Sequence, residues 1–198
     1  VGIDVSQYQG DVDWESVART EVDFVIARVG GRGYTAGAIY EDTKFDEYAD
    51  GASRAGLQVG AYFFSQAISV EEAEEEAYYV LDKLRGHNIT GPVVFDWEVI
   101  GKSEARTYGI ETGVLCAAAN AFCEIIEDAG YDAMIYITDY AGYVKYDLSK
   151  VMDYPLWYAR YDVSAPTFYY DFAMWQYSSK GSVDGIKGNV DMDIWFIK

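Results

Sequence analysis

Basic residues and histidine are scarce in this 198-residue chain. Fifteen lysines and arginines stand against 33 aspartates and glutamates, which gives a formal net charge of −18. Phosphate recognition needs clustered positive charge, so we expect no nucleic-acid partner. The one histidine, His87, has no cysteine near it in the sequence. We therefore expect no zinc site, and nothing in the sequence calls for a cofactor.

Cysteines and long apolar runs are equally few. Cys116 and Cys123 lie seven residues apart in a segment predicted to be helical. Two helical turns separate their Cα atoms by about 10 Å, which is too far for a disulfide. No apolar run approaches the roughly 18 residues that cross a bilayer, so we expect no membrane partner. The chain opens on strand-like VGIDV without a signal peptide, which indicates a mature chain or part of a longer one.

Strand-like and helix-like segments alternate over the first two thirds of the sequence. The predicted strands are 1–5, 23–29, 57–64, 92–97 and 133–138, and the predicted helices are 14–19, 44–55, 69–85 and a long one ending at Gly130. Three further strand candidates, 155–161, 172–178 and 189–197, follow without helical periodicity between them. Ser69 and Glu72 form a capping-box pattern, and the acidic run from Glu71 to Glu76 is predicted to be a solvated helix face.

This order predicts a single α/β domain over residues 1–198. Alternating units indicate a parallel sheet with crossover helices, and apolar strands indicate that both faces are covered. We predict a modified TIM-type barrel, with five β/α units followed by three strands that have few or no helices. The alternative is an open doubly wound sheet. That fold favours a glycine-rich phosphate loop after the first strand, where this chain has DVSQYQGDVDW.

The fourth strand ends in two acids. In GPVVFDWEVI, Asp96 and Glu98 are two residues apart, so both side chains point to one face while Trp97 points to the other. Barrel enzymes build their sites at the carboxyl ends of the strands. Each charge disfavours ionisation of its neighbour, which allows one carboxyl to stay protonated and act as an acid. A salt-bridged pair or a helix cap is the structural alternative.

Further acids end the first and last strands. Asp4 lies in GIDVSQYQG and Asp191 in GNVDMDIW. Closing a barrel brings those strands together, so the two carboxyls are predicted to meet across the seam. Asp184 and Asp193 are the rival positions for the second acid, because the direction of the last strand is open.

Aromatic side chains with polar tips accompany the acids. Such side chains suit sugar rings, whose C–H edges are apolar while their hydroxyls need partners. The candidates at strand ends are Tyr62, Phe64, Tyr136, Trp157 and Gln176. Arg28, at the end of the second strand, either positions a substrate or pairs with one of the acids.

Six segments together resemble a known family. GIDVSQYQG, GAYFF, PVVFDWE, WYARY, WQYS and GNVDMD occur in the order and spacing of glycoside hydrolase family 25 lysozymes, and the resemblance covers the whole chain. It implies an N-acetylmuramidase that cleaves the β-1,4 bond from N-acetylmuramic acid to N-acetylglucosamine in peptidoglycan. One departure is the loop RVGGRGY, where many members carry an acid.

Residue roles follow from the resemblance by position. It implies that Glu98 is the general acid and that Asp96 holds the 2-acetamido group or orients water. It puts Asp4 and Asp191 at the floor of the groove, and Tyr62, Tyr136, Trp157 and Gln176 along it. Since Asp96 and Glu98 are neighbours on one strand, we favour attack by the acetamido oxygen over other routes.

The resemblance also implies a setting and leaves alternatives. The expected partner is the peptidoglycan of bacterial cell walls. We expect the protein to be secreted and to act outside the cell or in the cell wall, or to be encoded by a phage. We expect a monomer, alone or in a longer chain with a wall-binding domain. A chitinase-like or glucosaminidase activity, and an inactive wall-binding module, are the alternatives. Chitinase-like barrels normally carry another aspartate two residues before Asp96, where this chain has Val94.

Overall fold

The computed structural model describes residues 1–196 and contains nine strands. Ile197, the predicted end of the last strand, lies outside the described residues. The strands are β1 (Gly2–Val5), β2 (Phe24–Arg32), β3 (Ile39–Glu41), β4 (Gln58–Ser65), β5 (Val93–Trp97), β6 (Ala133–Thr138), β7 (Leu156–Ala159), β8 (Met174–Gly181) and β9 (Val190–Trp195).

Helices follow the early strands and disappear later. The α-helices are α1 (Trp14–Val17), α2 (Phe45–Arg54), α3 (Val70–Leu84) and α4 (Thr112–Asp128). After β6 the helical part of the fifth unit is a π-helical turn, Ala141–Lys145, followed by a 3-10 turn, Leu148–Lys150. Gly56, Gly86 and Gly130 end the three long helices with positive φ angles of 86°, 88° and 90°, as their positions predict.

Eight of the strands close into a barrel. Neighbouring strands pair in parallel from β1 through β2, β4, β5, β6 and β7 to β8. β9 is antiparallel and closes the ring between β8 and β1, while β3 forms a hairpin with the end of β2. The predicted modified TIM-type barrel is confirmed, and the open doubly wound sheet is excluded.

Alternation along the strands separates two apolar clusters. The outer faces pack against the helices in the larger cluster, which includes Ile3, Val25 and Phe95. The barrel interior holds a smaller cluster, with Ile26, Val94 and others, below the carboxyl ends of the strands. The interior is therefore a packed floor, and the side chains one layer above it form the mouth.

Aromatic packing replaces helices around the last strands. Phe168, in the connection between β7 and β8, stacks on Tyr158 with ring centroids 4.6 Å apart. Phe172 approaches the same tyrosine at 5.3 Å. These rings cover the outer face of β7, which explains how the final third closes the barrel without crossover helices.

The acidic run on α3 corrects one prediction. Glu76 is fully buried and accepts a hydrogen bond of 2.7 Å from Arg32 Nε, and Glu72 pairs with Arg106 Nη2 at 2.6 Å. The run is therefore partly an ion-pairing surface rather than a solvated face. Ser69 caps the helix by accepting from the Glu72 backbone N–H, while the Glu72 carboxylate accepts from Ile68 N rather than from Ser69.

Cys116 and Cys123 are both free and buried. No helix within residues 1–196 has the length and apolar character to span a membrane.

Candidate active site

Carboxyl groups from three strands surround the barrel mouth. Asp4 and Asp96 are the penultimate residues of β1 and β5, and Glu98 follows β5 by one residue. Asp191 and Asp193 both lie on β9. Asp4 and Asp96 are each 5% exposed and Asp193 is fully buried, while Glu98 and Asp191 are partly exposed.

The seam between β1 and β9 brings two predicted acids together. Asp4 is paired directly with Asp191 in the antiparallel register, so the expectation that they meet is confirmed. Asp191 reaches the mouth because β9 runs from the mouth toward the floor and Asp191 is its second residue. Asp193 lies one layer deeper, opposite Gln176. The rival position Asp184 lies elsewhere, in a cavity beside Val1 and Glu21.

Gln176 connects the floor acids to the tyrosines of the wall. Its amide Nε2 donates to Asp4 Oδ2 at 2.6 Å. Its Oε1 accepts from the hydroxyl of Tyr136 at 2.9 Å and from that of Tyr161 at 2.6 Å. A carboxylate, an amide and two phenols therefore form one network, in which each bond orients the next.

Trp157 forms the apolar part of the floor and holds the deepest acid. Its indole N–H donates to Asp193 Oδ1 at 2.9 Å. The ring meets Tyr136 edge to face at 5.0 Å and Tyr62 at 6.2 Å. Phe64, half-buried, is paired with Asp96 in the register of β4 and β5. The predicted aromatics thus surround the carboxyls.

Arg28 points inward but is held by an acid outside the predicted set. Its Nε donates to Asp42 Oδ2 at 2.7 Å, and both groups are largely buried. The ring of Tyr8 lies 5.1 Å from the guanidinium carbon. One Arg28 nitrogen, Nη2, has no hydrogen-bond partner within residues 1–196. The arginine therefore has an ion-pair role and retains one donor.

The crowded carboxyls hold protons tightly. Burial, aided by the charge of Asp191, raises the pKa of Asp4 to about 8. Burial and the charge of Glu98 raise the pKa of Asp96 well above its ordinary value. The pKa of Glu98 also rises, through burial and then the charge of Asp191. A partly exposed carboxyl that keeps its proton is suited to donate it to a substrate.

Three residues of the mouth were not singled out from the sequence. Tyr161 lies in the quoted segment WYARY, where its position two residues after β7 was a usable signal. Asp193 was considered only as a rival of Asp191, although it lies beneath the site and accepts a hydrogen bond from Trp157. Asp42 carries no local signal, because its contact with Arg28 depends on the β2–β3 hairpin.

Within residues 1–196, no group of three or more histidine, cysteine, aspartate or glutamate side chains is arranged to hold a metal ion. The arrangement instead offers a protonated carboxyl, neighbouring carboxyls and aromatic walls in one open mouth. That combination suits acid-catalysed cleavage of a glycosidic bond.

Comparisons with known proteins agree with this geometry. The family model described as Glycosyl hydrolases family 25 matches residues 3–186. The autolytic lysozyme of Clostridium acetobutylicum is 31% identical over 193 residues, which are 97% of this chain and 54% of that protein. Lysozyme M1 of Streptomyces globisporus is 32% identical over 202 residues, covering 96% of this chain and 65% of that protein.

A solved structure shows the same fold. The bacterial lysozyme from Streptomyces coelicolor superposes with a TM-score of 0.80 at 28% identity, covering 98% of this chain and 90% of that one. The chain spans about half the length of the Clostridium relative and just under two thirds of lysozyme M1.

Proposed function

Because the chain belongs to glycosyl hydrolases family 25, we propose that it is a lysozyme acting on peptidoglycan, with Glu98 as its general acid. The bond cleaved is the β-1,4 bond from N-acetylmuramic acid to N-acetylglucosamine. The observation that carries the proposal is the placement of Asp96 and Glu98 at the end of one strand, beside Asp4 and Asp191, in a mouth lined by aromatic rings.

Glu98 is suited to protonate the leaving oxygen. Burial raises its pKa, so the carboxyl retains its proton at a higher pH than an ordinary glutamate. Its partial exposure gives a substrate access to that proton. After the leaving group departs, the resulting carboxylate accepts a proton from the incoming water.

Asp96 is suited to hold the 2-acetamido group. Its Oδ1 is buried and has no hydrogen-bond partner within residues 1–196, so the carboxyl has an unused acceptor, which a rotation of the side chain would present to the acetamide N–H. An oriented acetamide presents its carbonyl oxygen to the anomeric carbon, which forms a C–O bond as the leaving-group bond breaks. Water then opens the cyclic intermediate, and the product retains the β configuration. Detection by NMR of the inverted anomer as the first product would exclude this route.

The remaining groups shape the subsite. Asp4 and Asp191, with Gln176 between the floor and the wall, form the polar base of the mouth. Tyr62, Tyr136 and Trp157 give sugar rings an aromatic surface, and Phe64 extends it along β4. The enzyme would act on its substrate in the bacterial cell wall, either as a secreted protein or as a phage-encoded one.

Product identity tests the proposal against its alternatives. Purified peptidoglycan is digested, reduced with borohydride and analysed by mass spectrometry. Reduced muramic acid ends are expected. Reduced glucosamine ends would instead identify a glucosaminidase, and release of oligomers from chitin would identify a chitinase-like enzyme. Binding to walls without new ends would identify a binding module.

A further inference from the structure

A second cavity lies beside the mouth, on the other face of the strand that carries the acids. It has a volume of about 500 Å³ and begins one residue after Glu98. The loop after β5, from Val99 to Gly109, forms one side, and residues Tyr140 and Lys145 after β6 form the other. Trp97, between Asp96 and Glu98, forms its inner wall. The cavity is therefore formed by residues that flank the proposed acid in the sequence, but none of the carboxyl groups of the mouth lines it.

The loop that forms this cavity is firmly attached. Gln66 is fully buried, and its Nε2 donates to the backbone oxygen of Glu98 at 3.0 Å. Thr107, at the far end of the loop, donates to Gln66 Oε1 at 2.8 Å. Arg106 pairs with Glu72 of α3 at 2.6 Å. Both ends of the loop are thus held to the barrel, and the cavity is preformed.

The charge of the cavity is opposite to that of the chain. Its lining includes Lys102 and Lys145 and contains no aspartate or glutamate, in a chain with 33 acids. The Lys102 ammonium lies 5.2 Å from the ring centroid of Tyr34 and 3.4 Å from its hydroxyl. Neither lysine forms an ion pair with a carboxylate within residues 1–196. Neither lysine is therefore neutralised by a carboxylate, although the Lys102 ammonium contacts Tyr34.

An unused donor adjoins the same cavity. Trp97 is 1% exposed, and its indole N–H has no hydrogen-bond partner within residues 1–196. A buried donor without a partner costs free energy, which an acceptor that reached this nitrogen would recover. Apart from Thr107 and two glycines, the remaining lining is apolar or aromatic, with Val99, Ile100, Ala105, Tyr108 and Tyr140. The cavity thus combines positive charge with surfaces for small alkyl groups.

We infer that this cavity binds the peptide stem of muramic acid, with a stem carboxylate at Lys102 and Lys145. The inference rests on the proposed function, because it concerns the substituent of the sugar that the mouth would hold. The stem is a short peptide of small residues with free carboxylates, attached through the lactyl ether of that sugar. An extended stem advances about 3.3 Å with each residue, so its carboxylates lie several ångströms from the sugar ring that carries it.

This site would give an acidic protein local attraction for an anionic polymer. A net charge of −18 repels a glycan that carries carboxylates on its stems. Lys102 and Lys145, which pair with no carboxylate within residues 1–196, supply positive charge in the cavity. Stem recognition would then favour walls whose stems retain a free carboxylate over walls in which that group is amidated.

The test compares two soluble substrates that differ only in charge. Muramyl-peptide tetrasaccharides are prepared with the stem carboxylates free and with the same groups converted to carboxamides. For the unmodified protein, kcat/KM is expected to be higher for the acid form. In the K102Q/K145Q variant the ratio of the two kcat/KM values should fall about fivefold, since each exposed ion pair contributes modestly. Lys180→Gln removes an exposed lysine outside the cavity and should leave the ratio unchanged.

A binding measurement decides the inference independently of hydrolysis. N-acetylmuramyl dipeptide with a free carboxylate is titrated into the protein, and the indole N–H resonance of Trp97, assigned with Trp97→Phe, is followed by NMR. We expect this resonance to shift, with weaker binding in K102Q/K145Q. An unmoved resonance, or equal affinity for the carboxamide, would overturn the inference. So would equally tight binding of inorganic phosphate, which would indicate a general anion site. If the protein hydrolysed neither tetrasaccharide, that result would contradict the proposed function, whereas the inference would still be decided by the NMR titration.

Discussion

Asp4 and Asp191 lie directly opposite each other where antiparallel β9 closes the barrel against β1. This pairing puts two acidic side chains side by side. The two strands cannot separate to relieve the repulsion without disrupting the barrel. Burial and the charge of Asp191 raise the pKa of Asp4 to about 8, so the folded protein binds a proton that the unfolded chain releases near pH 4. The site therefore makes stability depend on pH.

The direction of that dependence is a first prediction. Stability from the protonated Asp4 is fully present below about pH 4 and is lost as the pH rises through about 8. The free energy of unfolding should therefore fall across that interval. In Asp4→Asn the fall should be smaller by on the order of 2 kcal/mol, because one pKa unit corresponds to about 1.4 kcal/mol and neighbouring carboxyls take up part of the shift.

Denaturant unfolding at a series of pH values measures this effect. Asp171→Asn, an exposed acid at the opposite end of the barrel, is the control and should follow the unmodified protein. If the free energy of unfolding fell with pH to the same extent in the unmodified protein and in Asp4→Asn, Asp4 would be ionised in the folded state.

The pair formed by Arg28 and Asp42 leads to a prediction about stability. Asp42 accepts from Arg28 Nε at 2.7 Å, and its carboxylate also accepts from the backbone N–H groups of Gln7 and Lys44. Breaking a buried pair leaves an uncompensated charge, so Asp42→Asn should cost about 3–5 kcal/mol in the free energy of unfolding.

An exposed pair provides the matched control. Asp11 pairs with Lys44 at 2.8 Å, but its side chain is 93% exposed. Asp11→Asn should therefore leave the denaturation midpoint unchanged within error. Equal effects of the two substitutions would mean that Asp42 contributes no more than a surface ion pair.

Asp96 is predicted to act on the rate more than on binding. Asp96→Asn preserves the size of the side chain but removes the carboxyl group that would orient the acetamide. We expect kcat on peptidoglycan fragments to fall about 100-fold or more, with a smaller change in KM, because the interaction strengthens in the transition state. Steady-state kinetics checks this. A large rise in KM with unchanged kcat would assign Asp96 to ground-state binding.

Much of the fold and of the mouth was predictable because both depend on local patterns. The β/α alternation indicated the barrel, alternation along the fourth predicted strand put Asp96 and Glu98 on one face, and the family resemblance put Tyr62 and Tyr136 along the groove. Asp4 and Asp191 followed from closure of the ring, although only the structure fixes β9 as antiparallel and so excludes Asp184.

Long-range contacts account for what the sequence could not reveal. Glu76 lies in an acidic run that predicts exposure, but it is buried against Arg32, 44 residues earlier in the chain. Arg28 finds Asp42 only because the short strand β3 folds back on β2. The cavity at Lys102 and Lys145 joins two loops that local periodicity does not connect.

The central claim is that Glu98 is the proton donor. The most direct test is how the activity lost in Glu98→Gln depends on the leaving group of the substrate. The variant is compared with the unmodified protein on a muramyl glycan and on an analogue whose aryl leaving group departs without protonation, with Glu104→Gln, an exposed acid in the next loop, as control. A general acid predicts a loss of about 100- to 10,000-fold on the glycan, a much smaller loss on the aryl glycoside and no loss in the control. Equal losses on both substrates, or an active variant on the glycan, would contradict the assignment of Glu98 as the proton donor.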